Sequence, residues 1–207
     1  MKTVYIIDYG ICNIGSLKNM IKKIGFEAIV ATSPSMIEDP KKIILPGIGN
    51  FSRGVQNLKD KGFWEYLKNF KKNNESCHLL GICLGMHILM NKSEESPGIE
   101  GLSLIDADVV QFSDEINLPI PQMNWNHIFL NDSNHKIFLN FDKHNHRFYF
   151  VHSYFVSPRN KKHILATTKY GTEFCSIIND KNIYGMQFHP EKSLSSGKIL
   201  IENFCKL

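Results

Sequence analysis

A chain of 207 residues, 43% hydrophobic and 21% charged, is long enough to bury a sizeable core, and the expectation is one domain over 1–207. Its formal charge of +4 sits on scattered lysine pairs (Lys22-Lys23, Lys41-Lys42, Lys71-Lys72, Lys161-Lys162), which read as solvated faces rather than a nucleic-acid stripe. No apolar run approaches the ~20 residues that cross a bilayer, and the start "MKTVYIIDYG" reads as a short strand rather than a leader.

The first half alternates strand and helix patterns. "TVYII" (3–7) is a continuous apolar run, followed by a helix in which Leu17, Met20, Ile21 and Ile24 share one face and Gly25 stops it. "EAIVA" (27–31) and "KIILPG" (42–47) are the next strands, "FWEYLKNF" (63–70) is helical, and "HLLGI" (78–82) is a fourth strand. Strands spaced by helices make βαβ units, hence a mainly parallel sheet flanked by helices. From about residue 100 "GLSLIDADVVQF", "RFYFVHSYFVS", "HILATTKY", "EFCSIIN" and "IYGMQFH" are strand-like with short connections, which predicts an added antiparallel or mixed portion. A last helix from about Ser193 to Lys206 is expected to bury Leu194, Ile201 and Phe204. The fold class expected is therefore α/β.

Three stretches carry chemistry. In "LLGICLGMHILM" (79–90), Gly81, Cys83 and Gly85 are spaced as in a tight strand-to-helix turn that exposes one side chain beside free backbone N–H groups. A buried core cysteine would have the same neighbours. In "MQFHPEKS" (186–193), His189 and Glu191 leave the same side of an extended segment, so the carboxylate can orient the imidazole. By itself H-x-E fits a core histidine or a metal ligand equally well. "LPGIGNF" (45–51) can turn backbone N–H groups inward at a strand end, or be an ordinary βα turn. In parallel sheets, ligands collect at the carboxyl ends of strands, so the glycine turn and the cysteine elbow are expected to face one crevice. Cysteine, histidine and glutamate together supply nucleophile, base and orienter. The five cysteines (12, 77, 83, 175, 205) show no C-x-x-C, which argues against zinc or a disulfide framework and for a reducing cytoplasm.

"GICLGM", "LPGIGNF" and "QFHPEKS", in this order and spacing, resemble the triad (class I) glutamine amidotransferases, which are flavodoxin-like. The likeness runs along the whole chain to the branch of glutaminase subunits of imidazole glycerol phosphate synthase, through "DYGICN", "PGIEGLSLIDADVVQF", "MNWN" (123–126), "FYFVHSY" (148–154) and "HPEKS". That resemblance implies Cys83 as nucleophile, His189 as acid and base, and Glu191 as its orienter. It implies an oxyanion hole from the N–H of Leu84 and one from the turn at Ile48 and Gly49. Gly49, His87, Ser153 and Tyr154 fall at glutamine-binding positions. Asn13, Trp125, Tyr149 and Lys192 fall at or near the interface with a (β/α)8-barrel cyclase, to which ammonia passes; bottom-up, Trp125 and Tyr149 are as easily core aromatics. No metal and no cofactor are implied.

Three positions depart from the family pattern. The usual glutamine after G-x-C-x-G-M is His87, which cannot copy an amide's paired donor and acceptor. "DYGxGN" reads "DYGICN", with Cys12 for glycine, and "PHMGWN" reads "PQMNWN", with Gln122 and Asn124. These departures leave room for a paralogue that feeds ammonia to another synthase, for example one amidating a sugar for surface polysaccharide. A stand-alone hydrolase or isomerase with a similar elbow would place its histidine beside the cysteine. A non-catalytic binding subunit would not need Cys83, His189 and Glu191 together.

Overall fold

The computed structural model describes residues 2–73, 76–113, 115–142 and 147–207. Its strands are β1 (Thr3–Ile7), β2 (Glu27–Ala31), β3 (Lys42–Leu45), β4 (His78–Ile82), β5 (Ala107–Gln111), β6 (Gln122–His127), β7 (Phe129–Leu130), β8 (Arg147–His152), β9 (Tyr154–Pro158), β10 (Ile164–Tyr170), β11 (Thr172–Asp180) and β12 (Ile183–Met186). The helices are α1 (Ile14–Lys23), α2 (Phe51–Asp60), α3 (Phe63–Lys68), α4 (Phe70–Asn73), α5 (Leu84–Ile88) and α6 (Leu194–Lys206).

Strands β2-β1-β3-β4-β12 run parallel in that order. β3 and β12 are buried throughout, and β1 and β4 along all but their first residue, as strands covered on both faces must be. Antiparallel β11, β10 and β7 extend the sheet beyond β12, while β9 pairs with β11 and with β5. One face packs Tyr5, Ile7 and Leu45 against α2, α3 and α5. The other packs Ile6, Ile44 and Leu80 against Leu17 and Ile21 of α1 and Leu200, Ile201 and Phe204 of α6. A separate antiparallel pair, β6 with β8, joins that second face through Phe148 and Phe150. The α/β architecture, mainly parallel with an antiparallel addition, is the one expected.

Three local readings need correction. Leu194 is 75% exposed, because it opens α6 at φ 50° and points away from the face made by Leu200, Ile201 and Phe204. "RFYFVHSYFVS" is two strands broken at Ser153: β8 serves β6, whereas β9 serves β5 and β11. Of "GLSLIDADVVQF" only 107–111 is strand. The amides before it are already used, Leu102 donating to Ile88 O (2.8 Å) and Leu104 to Leu89 O (2.8 Å), which satisfies carbonyls at the end of α5.

Candidate active site

The glycines of the elbow act by close approach. A Cβ on Gly85 would lie 1.8 Å from Leu45 O, and one on Gly81 2.7 Å from the Gly85 backbone, so only glycine lets α5 start against β3 and β4. The strained backbone belongs to Cys83, at φ 50° and ψ −110°, a region that non-glycine residues enter where surrounding structure holds them. What holds it is the Cys83 N–H donating to Met186 O at 2.8 Å, on β12. The Leu84 N–H has no partner among the described residues and lies beside Cys83 at the first turn of α5.

β12 leads straight to His189. His189 is 1% exposed, and its Nδ1 lies 2.8 Å from Glu191 Oε1. Pro190 opens a short 3-10 turn, Pro190–Lys192, that folds the carboxylate back onto the ring. Ser193 fixes that turn: its Oγ donates to His189 O (2.6 Å) and accepts from Tyr149 N–H (3.0 Å), while His189 N–H donates to Tyr149 O (2.9 Å). Burial by itself pushes the His189 imidazolium down. The charge of Cys83, with Glu191 behind, outweighs it and raises the group to about 10. His189 Nε2 is buried without a hydrogen-bond partner among the described residues, and Cys83 is the group that acts on it from outside the His189–Glu191 pair.

Cys83 opens on a cavity of about 410 Å³ lined by Ile48, Gly49, Leu84, His87, Ser153 and Tyr154, so the turn after β3, the elbow and the strand break meet in one crevice. In the turn, Ile48 N–H is occupied, donating to Ile11 O at 2.9 Å, whereas Gly49 (φ 107°) has no backbone partner among the described residues. His87 Nε2–H donates to Gln187 Oε1 at 2.8 Å; burial lowers this histidine to about 4, with the Gln187 bond opposing, so it is neutral at physiological pH. Sequence reasoning missed Glu95, which lines the same cavity while its Oε2 accepts from Phe51 N–H (2.8 Å) at the start of α2. Nothing in "SEESP" separates that carboxylate from an ordinary loop residue. A larger cavity of about 580 Å³ lies at the opposite ends of β1, β3 and β4, around Lys42 and His78. Its lining includes Cys205, His78, Glu38 and Asp39 as well, but His78 Nδ1 meets Lys42 Nζ at 3.3 Å rather than a carboxylate and burial pushes the Cys205 thiol up to about 12, so arrangement rather than size selects the site.

The expected interface residues split in place. Trp125 is 41% exposed, its ring centroid 6.1 Å from that of Tyr149, and Lys192 Nζ lies 5.4 Å from the centre of the Tyr149 ring. They form one exposed cluster, with Met123 beside Trp125. Asn13 is not part of that ring stack; it sits at the start of α1, which packs against the Pro190–Lys192 turn. Among the described residues there is no cluster of three potential metal ligands, and no helix is long and apolar enough to cross a membrane.

Comparison with known proteins agrees with this geometry. Residues 5–207 match the family model described as glutamine amidotransferase class-I. The chain is 50% identical over 203 residues to a Methanococcus maripaludis protein named imidazole glycerol phosphate synthase subunit HisH 2, covering 98% of each. It is 41% identical to the HisH protein of Buchnera aphidicola subsp. Schizaphis graminum, covering 99% of each. Among solved structures, PurLQS from Thermotoga maritima superposes with a TM-score of 0.74 at 18% identity, over 100% of this chain and 99% of that one. A glutamine amidotransferase from Thermotoga maritima gives 0.64 at 17%, over 99% and 82%; both likenesses concern the fold alone. The chain belongs to the class-I glutamine amidotransferases and, within them, groups with the HisH glutaminase subunits.

Proposed function

We propose that this chain hydrolyses L-glutamine to glutamate and ammonia through a thioester on Cys83, and that the ammonia passes to a (β/α)8-barrel cyclase making imidazole glycerol phosphate and aminoimidazole carboxamide ribotide in histidine biosynthesis. The observation that carries the reading is the meeting of a cysteine on a strained elbow, a carboxylate-held histidine and a cavity sized for an amino acid. The Cys83 thiolate attacks the carboxamide carbon, and negative charge moves to its oxygen. Leu84 N–H and Gly49 N–H are the free donors for that charge; Ile48 N–H would have to leave Ile11 O first. His189 then gives its proton to the nitrogen as the C–N bond breaks and ammonia leaves. The neutral ring next takes a proton from water, whose oxygen attacks the thioester, and glutamate departs as Cys83 thiolate and imidazolium are restored.

Glu95 is placed to meet the α-ammonium of glutamine, with His87, Ser153 and Tyr154 around the rest of the substrate. Trp125, Tyr149 and Lys192, with Asn13 nearby, are read as the docking face. The chain is taken as one amidotransferase unit working in the cytoplasm, where its five unpaired cysteines stay reduced. Supply of another synthase gains no support from the relatives compared, which carry the imidazole glycerol phosphate synthase name. The test is glutamate release by the pure chain, alone and with a histidine-pathway barrel cyclase and its nucleotide ligand. Strong stimulation by the pair supports the reading, and glutaminase activity indifferent to the cyclase contradicts the partner assignment.

A further inference from the structure

Gln122 and Asn124, two departures from the family pattern, are joined to the wall of the glutamine cavity. Gln122 is fully buried and lies directly opposite His152 across the β6–β8 pair. As placed, its Oε1 is 3.1 Å from His152 Nε2 on one side and its Nε2 3.2 Å from Asn124 Oδ1 on the other. His152 Nδ1 lies 2.8 Å from the backbone oxygen of Tyr154, and a carbonyl can only accept, so Nδ1 carries the proton.

The second ring nitrogen is then settled by charge. Burial holds His152 down to about 3, with the Tyr154 bond opposing and the neighbouring His87 and His189 adding to the lowering. Phe112, Phe150 and Phe174 surround the ring, at centroid distances of 5.4, 5.8 and 5.1 Å. The ring is therefore neutral and Nε2 is a bare acceptor that needs a donor. Among the described residues the Gln122 carboxamide is the group in reach, so the oxygen and nitrogen of both amides exchange places: Gln122 NH₂ donates to Nε2, and its oxygen accepts from the Asn124 NH₂. Donation runs one way: Asn124 to Gln122, Gln122 to His152, His152 to Tyr154 O.

We infer that this directed relay fixes the Nδ1–H form of His152 and holds the adjoining Ser153–Tyr154 wall in the shape that receives glutamine. Gln122 is thus a positioning residue, acting through His152, and Asn124 is the solvent-exposed end of the relay, between exposed Met123 and Trp125. The cavity's substrate is taken from the glutaminase reading above.

The test changes the exposed end, where folding is not at risk. Asn124→Asp has the same shape but cannot donate. Gln122 must then turn its NH₂ to the new carboxylate and its oxygen to His152, and the neutral ring moves its proton from Nδ1 to Nε2, leaving a bare Nδ1 against Tyr154 O. Asn124→Gly, the family residue, lets water supply the donor and leaves the order of the relay intact. Histidine ring ¹⁵N spectra of the full chain, with His152 assigned by loss of its signals in His152→Phe, read the protonation directly. The wild type and Asn124→Gly should show His152 protonated at Nδ1 and bare at Nε2 near neutral pH. Asn124→Asp should show Nε2 protonated. With the cyclase present, Asn124→Asp should raise the KM for glutamine about ten-fold while kcat stays within about two-fold, and Asn124→Gly should change neither by more than about two-fold. A wild-type His152 protonated at Nε2, or an Asn124→Asp protein with unchanged His152 signals, overturns the relay. An altered His152 with an unchanged KM overturns its part in glutamine binding. A wild type with no glutamine turnover would instead contradict the glutaminase reading, while the ring spectra still decide the relay.

Discussion

The backbone amide of Cys83 donates to the carbonyl of Met186 at 2.8 Å, so Cys83 is tied to the strand that ends three residues before His189. Cys83 and the His189–Glu191 pair come from segments about a hundred residues apart, and β4 and β12, neighbouring parallel strands, bring them together. The positive φ of Cys83 persists because both ends of the elbow are held: Met186 O takes its amide, and the Cys83 carbonyl accepts from His87 N–H at 3.1 Å.

Glu191→Gln keeps a hydrogen bond to His189 and removes the charge. Glutamine turnover should fall about 10³-fold with the fold retained, because the carboxylate both orients the ring and stabilises the imidazolium. His189 is held up to about 10, so in the wild type its charged form is present at neutral pH and is lost as pH rises through that value. In Glu191→Gln the alkaline limb of kcat/KM should therefore move to lower pH. A full pH–rate profile of both proteins checks the direction.

His87 and His152 are buried neutral, lowered to about 4 and about 3. In the unfolded chain they protonate below their ordinary value near 6.5, whereas in the folded chain they do so only below the depressed values. Stability is thus fully present above about pH 6.5 and declines as pH falls toward 4. His87 alone should contribute about 2 kcal/mol of loss between about pH 7 and about pH 5. His87→Gln should show a correspondingly shallower drop in denaturant midpoint over that interval.

Gly85→Ala places a methyl 1.8 Å from Leu45 O, backbone that cannot swing aside. The loss should exceed about 3 kcal/mol, measured by denaturant unfolding of whatever soluble protein is obtained.

Trp125→Ala removes the outer ring of the Trp125–Tyr149–Lys192 stack without touching the core. Stability should change by less than about 1 kcal/mol and unstimulated glutamine hydrolysis should be unaltered. Affinity for the cyclase should drop by about ten-fold or more, as for a central aromatic anchor. Calorimetric titration of the two subunits measures it.

Much of this was legible in the sequence because the parallel strands announce themselves. β1, β2 and β4 fall on the residues expected: β1 and β4, buried on both faces, need unbroken apolar runs, and β2, partly exposed at the sheet edge, keeps one as well. The cysteine elbow and the H-x-E pair were also readable, as each needs a fixed local spacing. What escaped depends on contacts between distant segments. α2 has Phe51, Val55 and Leu58 on its buried face, but Gly54 between them reads as a breaker. Only the structure shows that Gly54 admits α5, its absent Cβ falling 2.8 Å from Ile88 Cδ1. β6 is largely exposed and polar, so no apolar alternation marks it. Its partner β8 lies more than twenty residues on. Leu194 looked like core because a helical leucine usually is; its place at the first turn, beside exposed Lys192, turns it to solvent.

The most direct measurement is acid-quenched peptide mass spectrometry of the chain turning over glutamine in the presence of the cyclase proposed as its partner. A glutamyl group should be found on the peptide containing Cys83, and should vanish, together with glutamate release, in Cys83→Ala. Sustained glutamine hydrolysis by Cys83→Ala, or a glutamyl group on another residue, would contradict the assignment of Cys83 as the nucleophile.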